Sequence, residues 1–147
     1  MDQAVSDTIN KDWIARAQSL QGMIADAADT TEAEGKVPAE VMEALHDAEL
    51  FRMALPRSIG GGEASPLVLM QAVETIAQSD ASTAWCVGQG TGCTWGSAYV
   101  SHEVCKDIFG SPDAILAWGP PAKASAVPVE GGYRVTGEWR FGKVFHI

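Results

Sequence analysis

Apolar residues in the first fifth of the chain fall at Trp13, Ala17, Leu20, Ile24 and Ala27, in alternating steps of four and three. Such steps place side chains on one side of a 3.6-residue turn, so the spacing predicts an amphipathic helix over 8–28. The polar segment 29–36 reads as a connection. Pro38 then suits the first turn of a short second helix, because the N–H it lacks would have no intrahelical partner there. Val41, Leu45 and Ala48 share the inward side of that helix.

The run 50–55 ends at Pro56, and Gly60, Gly61 and Gly62 predict a loop. Ser65 and Pro66 give a start signal, a capping hydroxyl followed by a ring preset for the first turn. From 67 to 78 the helix is apolar nearly all round and is expected to lie centrally among the others. Asp80 or Ser82 can cap the next helix, 81 to about 99, in which Ala84, Gly88, Gly92 and Gly96 recur every four positions. Close approach of another backbone is the expected use of that repeat. A further helix over 101–109 would turn Val104, Ile108 and Phe109 to one side.

After Ser111-Pro112 the period changes from 3.6 to 2. Segments 114–118, 125–130 and 133–141 read as strands, with Gly131-Gly132 as a hairpin turn. In the last, Tyr133, Val135, Trp139 and Phe141 alternate with Arg134, Thr136, Glu138 and Arg140. The expected architecture is mainly α: a helical domain over 1–111, followed by the beginning of an antiparallel β segment over 112–147.

Composition narrows the function. The 147 residues are 46% hydrophobic and 20% charged, as in an ordinary globular domain. Nineteen acidic against ten basic side chains give a formal charge of −9, a field that repels phosphate backbones and anionic lipid. Neither nucleic acid nor membrane is an expected partner. No apolar stretch approaches the ~20 residues that span a bilayer, and MDQAVSDTINKD lacks a signal-peptide profile, so a cytoplasmic location is expected.

Local chemistry is sparse. Cys86, Cys93 and Cys105 form no CxxC pair and read as buried thiols, and His46, His102 and His146 never stand at i, i+4, so no metal site is expected. The stretch 88–93, GQGTGC, invites comparison with a dinucleotide loop, but Cys93 and Trp95 stand where the third glycine belongs, and packing is the better reading. Gly60–Gly62 lacks the Lys-Ser/Thr ending of a phosphate loop. Glu43, His46 and Asp47 read as a solvated helix face. Trp85 and Trp95 are expected in the core. For Trp118, which ends a strand before Gly119-Pro120-Pro121, packing and ligand contact stand equal.

Taken in order, two helices, LFRMALPRSIGGGEASP, a long apolar helix, the SDASTAW helix and strands closing on GGYRVTGEWRF resemble the acyl-CoA dehydrogenases over nearly the whole chain. The most specific parts are Pro56 with Gly60-Gly61, and Gly131-Gly132-Tyr133 followed by Gly137-Glu138-Trp139-Arg140-Phe141. SDASTAW with Trp139-Arg140-Phe141 is more similar to the monooxygenase branch, which hydroxylates aromatic substrates with a reduced flavin delivered separately. The resemblance implies FAD or FMN as cofactor, with Trp118, Gly119 and Phe141 at positions near the flavin. It implies an acyl-CoA or aromatic small molecule as substrate and a homo-oligomer as the assembly.

The family continues past the aromatic with a small residue and a flavin-contacting Ser or Thr, whereas this chain reads Gly142-Lys143-Val144-Phe145-His146-Ile147. The 147 residues are therefore expected to be the N-terminal part of such a flavoprotein, to bind no flavin alone, and to have their catalytic residues supplied from beyond Ile147. The competing expectation is a non-catalytic, self-associating helical module that pairs through the open strand edge and the face bearing Tyr133, Val135, Trp139 and Phe141.

Overall fold

A computed structural model describes residues 3–119 and 121–139. Among the described residues five α-helices are followed by one hairpin: α1 (Gln3–Glu34), α2 (Ala39–Asp47), α3 (Pro66–Ala77), α4 (Ala81–Cys93), α5 (His102–Phe109), β1 (Pro121–Val129) and β2 (Gly132–Trp139). Short 3₁₀ turns cover Leu50–Arg52, Arg57–Ile59 and Thr94–Tyr99.

α1 carries the expected stripe, with Trp13, Ala17 and Ile24 buried. It runs past the expected end to Glu34, because the stripe continues one turn to the buried Thr31 and no breaker intervenes before Gly35. Gly35 takes φ +65° and donates its N–H to Thr31 O at 3.0 Å, a left-handed stop that a residue with a Cβ adopts at a cost. Ser65 accepts the Val68 N–H with Pro66 in the first turn, and Asp80 accepts the Thr83 N–H at 2.6 Å, so both predicted starts hold.

The core lies where α3 meets α1 and α4, closed below by α2 and the 50–53 turn. It gathers Trp13, Ile24, Val41, Leu45, Leu50, Phe51, Met53, Val68, Leu69, Ala72, Ile76, Ala84 and Val87. α3 is not enclosed as its composition suggested. Val68, Leu69, Ala72 and Ile76 face inward, while Leu67 and Met70 are 67% and 64% exposed, because partners cover one side of the helix only.

Three other expectations change. In α5 the buried pair is Cys105 and Phe109, one turn apart beneath Leu55, and Val104 and Ile108 face out. Trp85 is 62% exposed, since α4 buries its small side Thr83, Ala84, Val87, Gly90 and Thr91, and Trp95, on the 3₁₀ turn that follows, is 48% exposed. The four-residue repeat does not make one contact face. Each step of four overshoots a 3.6-residue turn by about 40°, and the helix tightens to 3₁₀ after Cys93. A Cβ at Gly88 would meet Val73 Cγ1 at 3.6 Å, an ordinary contact distance, and one at Gly92 or Gly96 would meet nothing within 4 Å.

Segment 114–118 is not a strand. It finds no ladder partner among the described residues and follows an irregular path. The hairpin forms as expected in antiparallel register, Val129 opposite Gly132 and Val127 opposite Arg134, though its turn is Glu130-Gly131 with Gly131 at φ +82°. Tyr133, Val135 and Trp139 are all exposed.

Candidate functional site

The segment leaving α5 carries Trp118 and Gly119, and its course is set by two anchors on the helical domain. The first is Arg52. Its side chain is 6% exposed and its guanidinium donates only to backbone: Nη1 to Phe109 O at 3.0 Å and Ser111 O at 2.9 Å, Nη2 to Ile59 O at 2.6 Å, and Nε to Gly60 O at 3.3 Å. One buried cation thereby joins the glycine loop to the end of α5, with its donors satisfied by carbonyl dipoles rather than by a carboxylate. Sequence reading passed over Arg52, and an arginine within an otherwise apolar run was the one available signal.

The second anchor is a single turn of α4. A Cβ added to Gly90 would lie 2.9 Å from Ile115 Cγ2 and 2.9 Å from Phe51 Cδ1, so Ile115 rests where only glycine leaves room. One residue earlier, Gln89 Oε1 accepts the indole N–H of Trp118 at 2.5 Å. Buried threonines fix this turn in its place, Thr91 donating to Leu50 O at 3.0 Å and Thr94 to Thr91 O at 2.6 Å.

Trp118 is 60% exposed and lines an open cleft of about 520 Å³ together with Ala117, Gly119 and Trp139. Two indole rings and a glycine backbone make a largely apolar wall on which a flat ring can lie. The structure thus brings together Trp118 and Gly119 of the three residues singled out in the sequence, and adds Trp139 and Gln89. Phe141 lies outside the described residues.

Among the described residues no acid–base or nucleophilic group lines this cleft. Burial pushes the Cys86 thiol up, helped by the charge of Asp80, and burial alone raises Cys93, the reverse of what activates a thiolate. Glu43 and Asp47 are solvated, and His46 stacks its ring 5.0 Å from Phe51. Among the described residues no cluster of His, Cys, Asp or Glu could hold a metal ion, and no helix is long and apolar enough to cross a membrane.

The model of the acyl-CoA dehydrogenase N-terminal domain matches residues 15–109, from within α1 to the last residue of α5. The chain belongs to the acyl-CoA dehydrogenase family. It is 29% identical over 125 residues to the flavin-dependent monooxygenase oxygenase subunit HsaA of Rhodococcus jostii strain RHA1, covering 84% of this chain and 33% of that protein. It is 36% identical over 141 residues to the putative acyl-CoA dehydrogenase YdbM of Bacillus subtilis strain 168, covering 82% of this chain and 37% of the relative. Its fold superposes on the crystal structure of 3-HSA hydroxylase from Rhodococcus sp. RHA1 with a TM-score of 0.81 at 28% identity, over 87% of this chain and 33% of that one. The chain spans about a third of the length of the curated relatives it matches.

Proposed function

We propose that these residues form the N-terminal wall of the cofactor and substrate site of a cytoplasmic, flavin-dependent oxidoreductase, in the aromatic-hydroxylating branch of the acyl-CoA dehydrogenase family. The observation that carries the reading is the Trp118–Gly119–Trp139 cleft, held against α4 and presenting indole faces to the space in front of them. The cleft fits an isoalloxazine in shape and chemistry: Trp118 offers a ring to stack on, and Gly119 has no side chain to keep a flat cofactor from the backbone. By family resemblance Phe141 is the third contact.

When bound, a reduced flavin, FAD or FMN delivered separately, would supply the two electrons with which dioxygen gives one oxygen atom to an aromatic ring and releases the other as water. The chain's own part is to orient the flat rings and to keep water from that side of them. The reaction's acid–base groups belong, in this reading, to the two thirds of the relatives' length that the chain does not span. Similarity to a flavin-dependent oxygenase subunit favours hydroxylation, and the YdbM likeness supports acyl-CoA dehydrogenation as the second reading. Both use the same wall. The division between a helical domain and a β-domain near residue 112 belongs to this reading. So does a homo-oligomeric assembly, supported by the apolar side chains left exposed at Leu67, Met70, Tyr133 and Trp139.

The test is a chimera of residues 1–139 with the domains that follow in the Rhodococcus relative. It is expected to bind FAD or FMN, in the oxidised state or after anaerobic reduction. A folded chimera that binds neither flavin in either redox state contradicts the proposal.

A further inference from the structure

An indole that is more than half exposed is not oriented by packing, and Trp118 stands on a segment with no ladder to fix it. Among the described residues its ring has one directional contact, the N–H donated to Gln89 Oε1. Gln89 comes from the middle of α4, where the helical backbone is fixed on both sides by Asp80 at the N-terminus and Thr91 at the 50–52 turn. Its neighbour Gly90 seats Ile115, three residues before Trp118. Adjacent residues on one rigid turn therefore hold both ends of the short stretch 115–118. The contact also selects for tryptophan: an amide oxygen is matched by an indole N–H and by nothing on a phenyl ring.

We infer that Gln89 is a positioning residue, which sets the plane of the Trp118 ring and so decides which indole face lines the cleft with Gly119 and Trp139. The inference deepens the flavin reading above and rests on it for its consequence. With the N–H edge turned into α4 and satisfied, the ring presents an apolar π face outward, the surface on which a flat, electron-poor heterocycle stacks. Without Gln89 the indole N–H loses its protein partner and turns to solvent, and the face rotates out of register with Gly119.

The experiment uses the 147-residue chain labelled with ¹⁵N, in which five tryptophans give five indole N–H resonances. Gln89→Leu removes the acceptor at similar volume, and Gln89→Glu keeps an oxygen acceptor. The expected result is that Gln89→Leu shifts the Trp118 resonance alone and raises its exchange with solvent by on the order of tenfold, the size of one neutral hydrogen bond. Gln89→Glu is expected to leave exchange near wild type. An unmoved Trp118 resonance in Gln89→Leu overturns the inference. So does a shift of all five indoles together, which would make Gln89 a residue of the fold rather than of this ring. In the chimera, Gln89→Leu is expected to weaken flavin by on the order of tenfold, and to have no further effect once Trp118 is Phe. If the indole responds but flavin affinity does not, the ring is held by Gln89 and does not orient flavin, and the positioning role fails. A chimera that binds neither oxidised nor reduced flavin, with a responsive indole, sinks the flavin reading instead.

Discussion

Replacing Arg52 by methionine is expected to destabilise the chain by about 3 kcal/mol, a large share of the stability of any single domain. The side chain is buried, and the carbonyls of Ile59, Gly60, Phe109 and Ser111 all accept from it. Methionine keeps the apolar stem and removes every donor. Each carbonyl must then find water, which opens the loop, or stay unpaired in the interior. Lysine restores the charge but gathers three donors at one point instead of spreading five along a planar fork, so Arg52→Lys is expected to recover only part of the loss. Urea denaturation checks this through a lower midpoint at unchanged slope. An Arg52→Met midpoint indistinguishable from wild type would show that the clamp carries no stability.

A single methyl group at Gly61 is expected to do comparable damage. The loop from Arg52 to Ala64 folds back on itself, Gly61 N–H donating to Pro56 O at 2.9 Å, Glu63 N–H to Leu55 O at 3.0 Å and Ala64 N–H to Met53 O at 2.8 Å. A Cβ at Gly61 would overlap the carbonyl and Cβ of Leu55, which are backbone-fixed and unable to swing aside. Overpacking against a rigid neighbour costs about 3 kcal/mol, which lowers the Tm of a domain this size by roughly 10 °C. Gly92→Ala supplies the opposite sign. Nothing lies within 4 Å of a Cβ there, and alanine is favoured over glycine in a helix by up to about 1 kcal/mol, less in the last turn where Gly92 stands. Thermal scans showing Gly61→Ala as stable as wild type would contradict the packing described for the loop.

What sequence made legible follows from where local rules decide the outcome. Ser65-Pro66, Asp80, the glycine loop and the stripe from Trp13 to Ala27 are short-range signals, and each produced its element. Trp85 and Trp95 were misplaced because an aromatic in an apolar helix looks like core until the helix's neighbours are known, and α4 turned out to bury its smallest side. The expected strand at 114–118 needed a partner that spacing cannot reveal. The candidate site was half legible: Trp118 and Gly119 stood out through a strand-end reading and the family resemblance. Gln89 and Arg52 act over 29 and 59 residues of sequence separation, to Trp118 and Ser111, through contacts that have no signature along the chain.

The most direct test of the whole account is the flavin affinity of the chimera with Trp118 intact and as Trp118→Ala, followed by quenching of flavin fluorescence. Stacking on the Trp118 face predicts binding that weakens on the order of tenfold in Trp118→Ala, with the far-ultraviolet circular dichroism unchanged. Equal affinity in the two proteins would place the flavin elsewhere and remove the central claim.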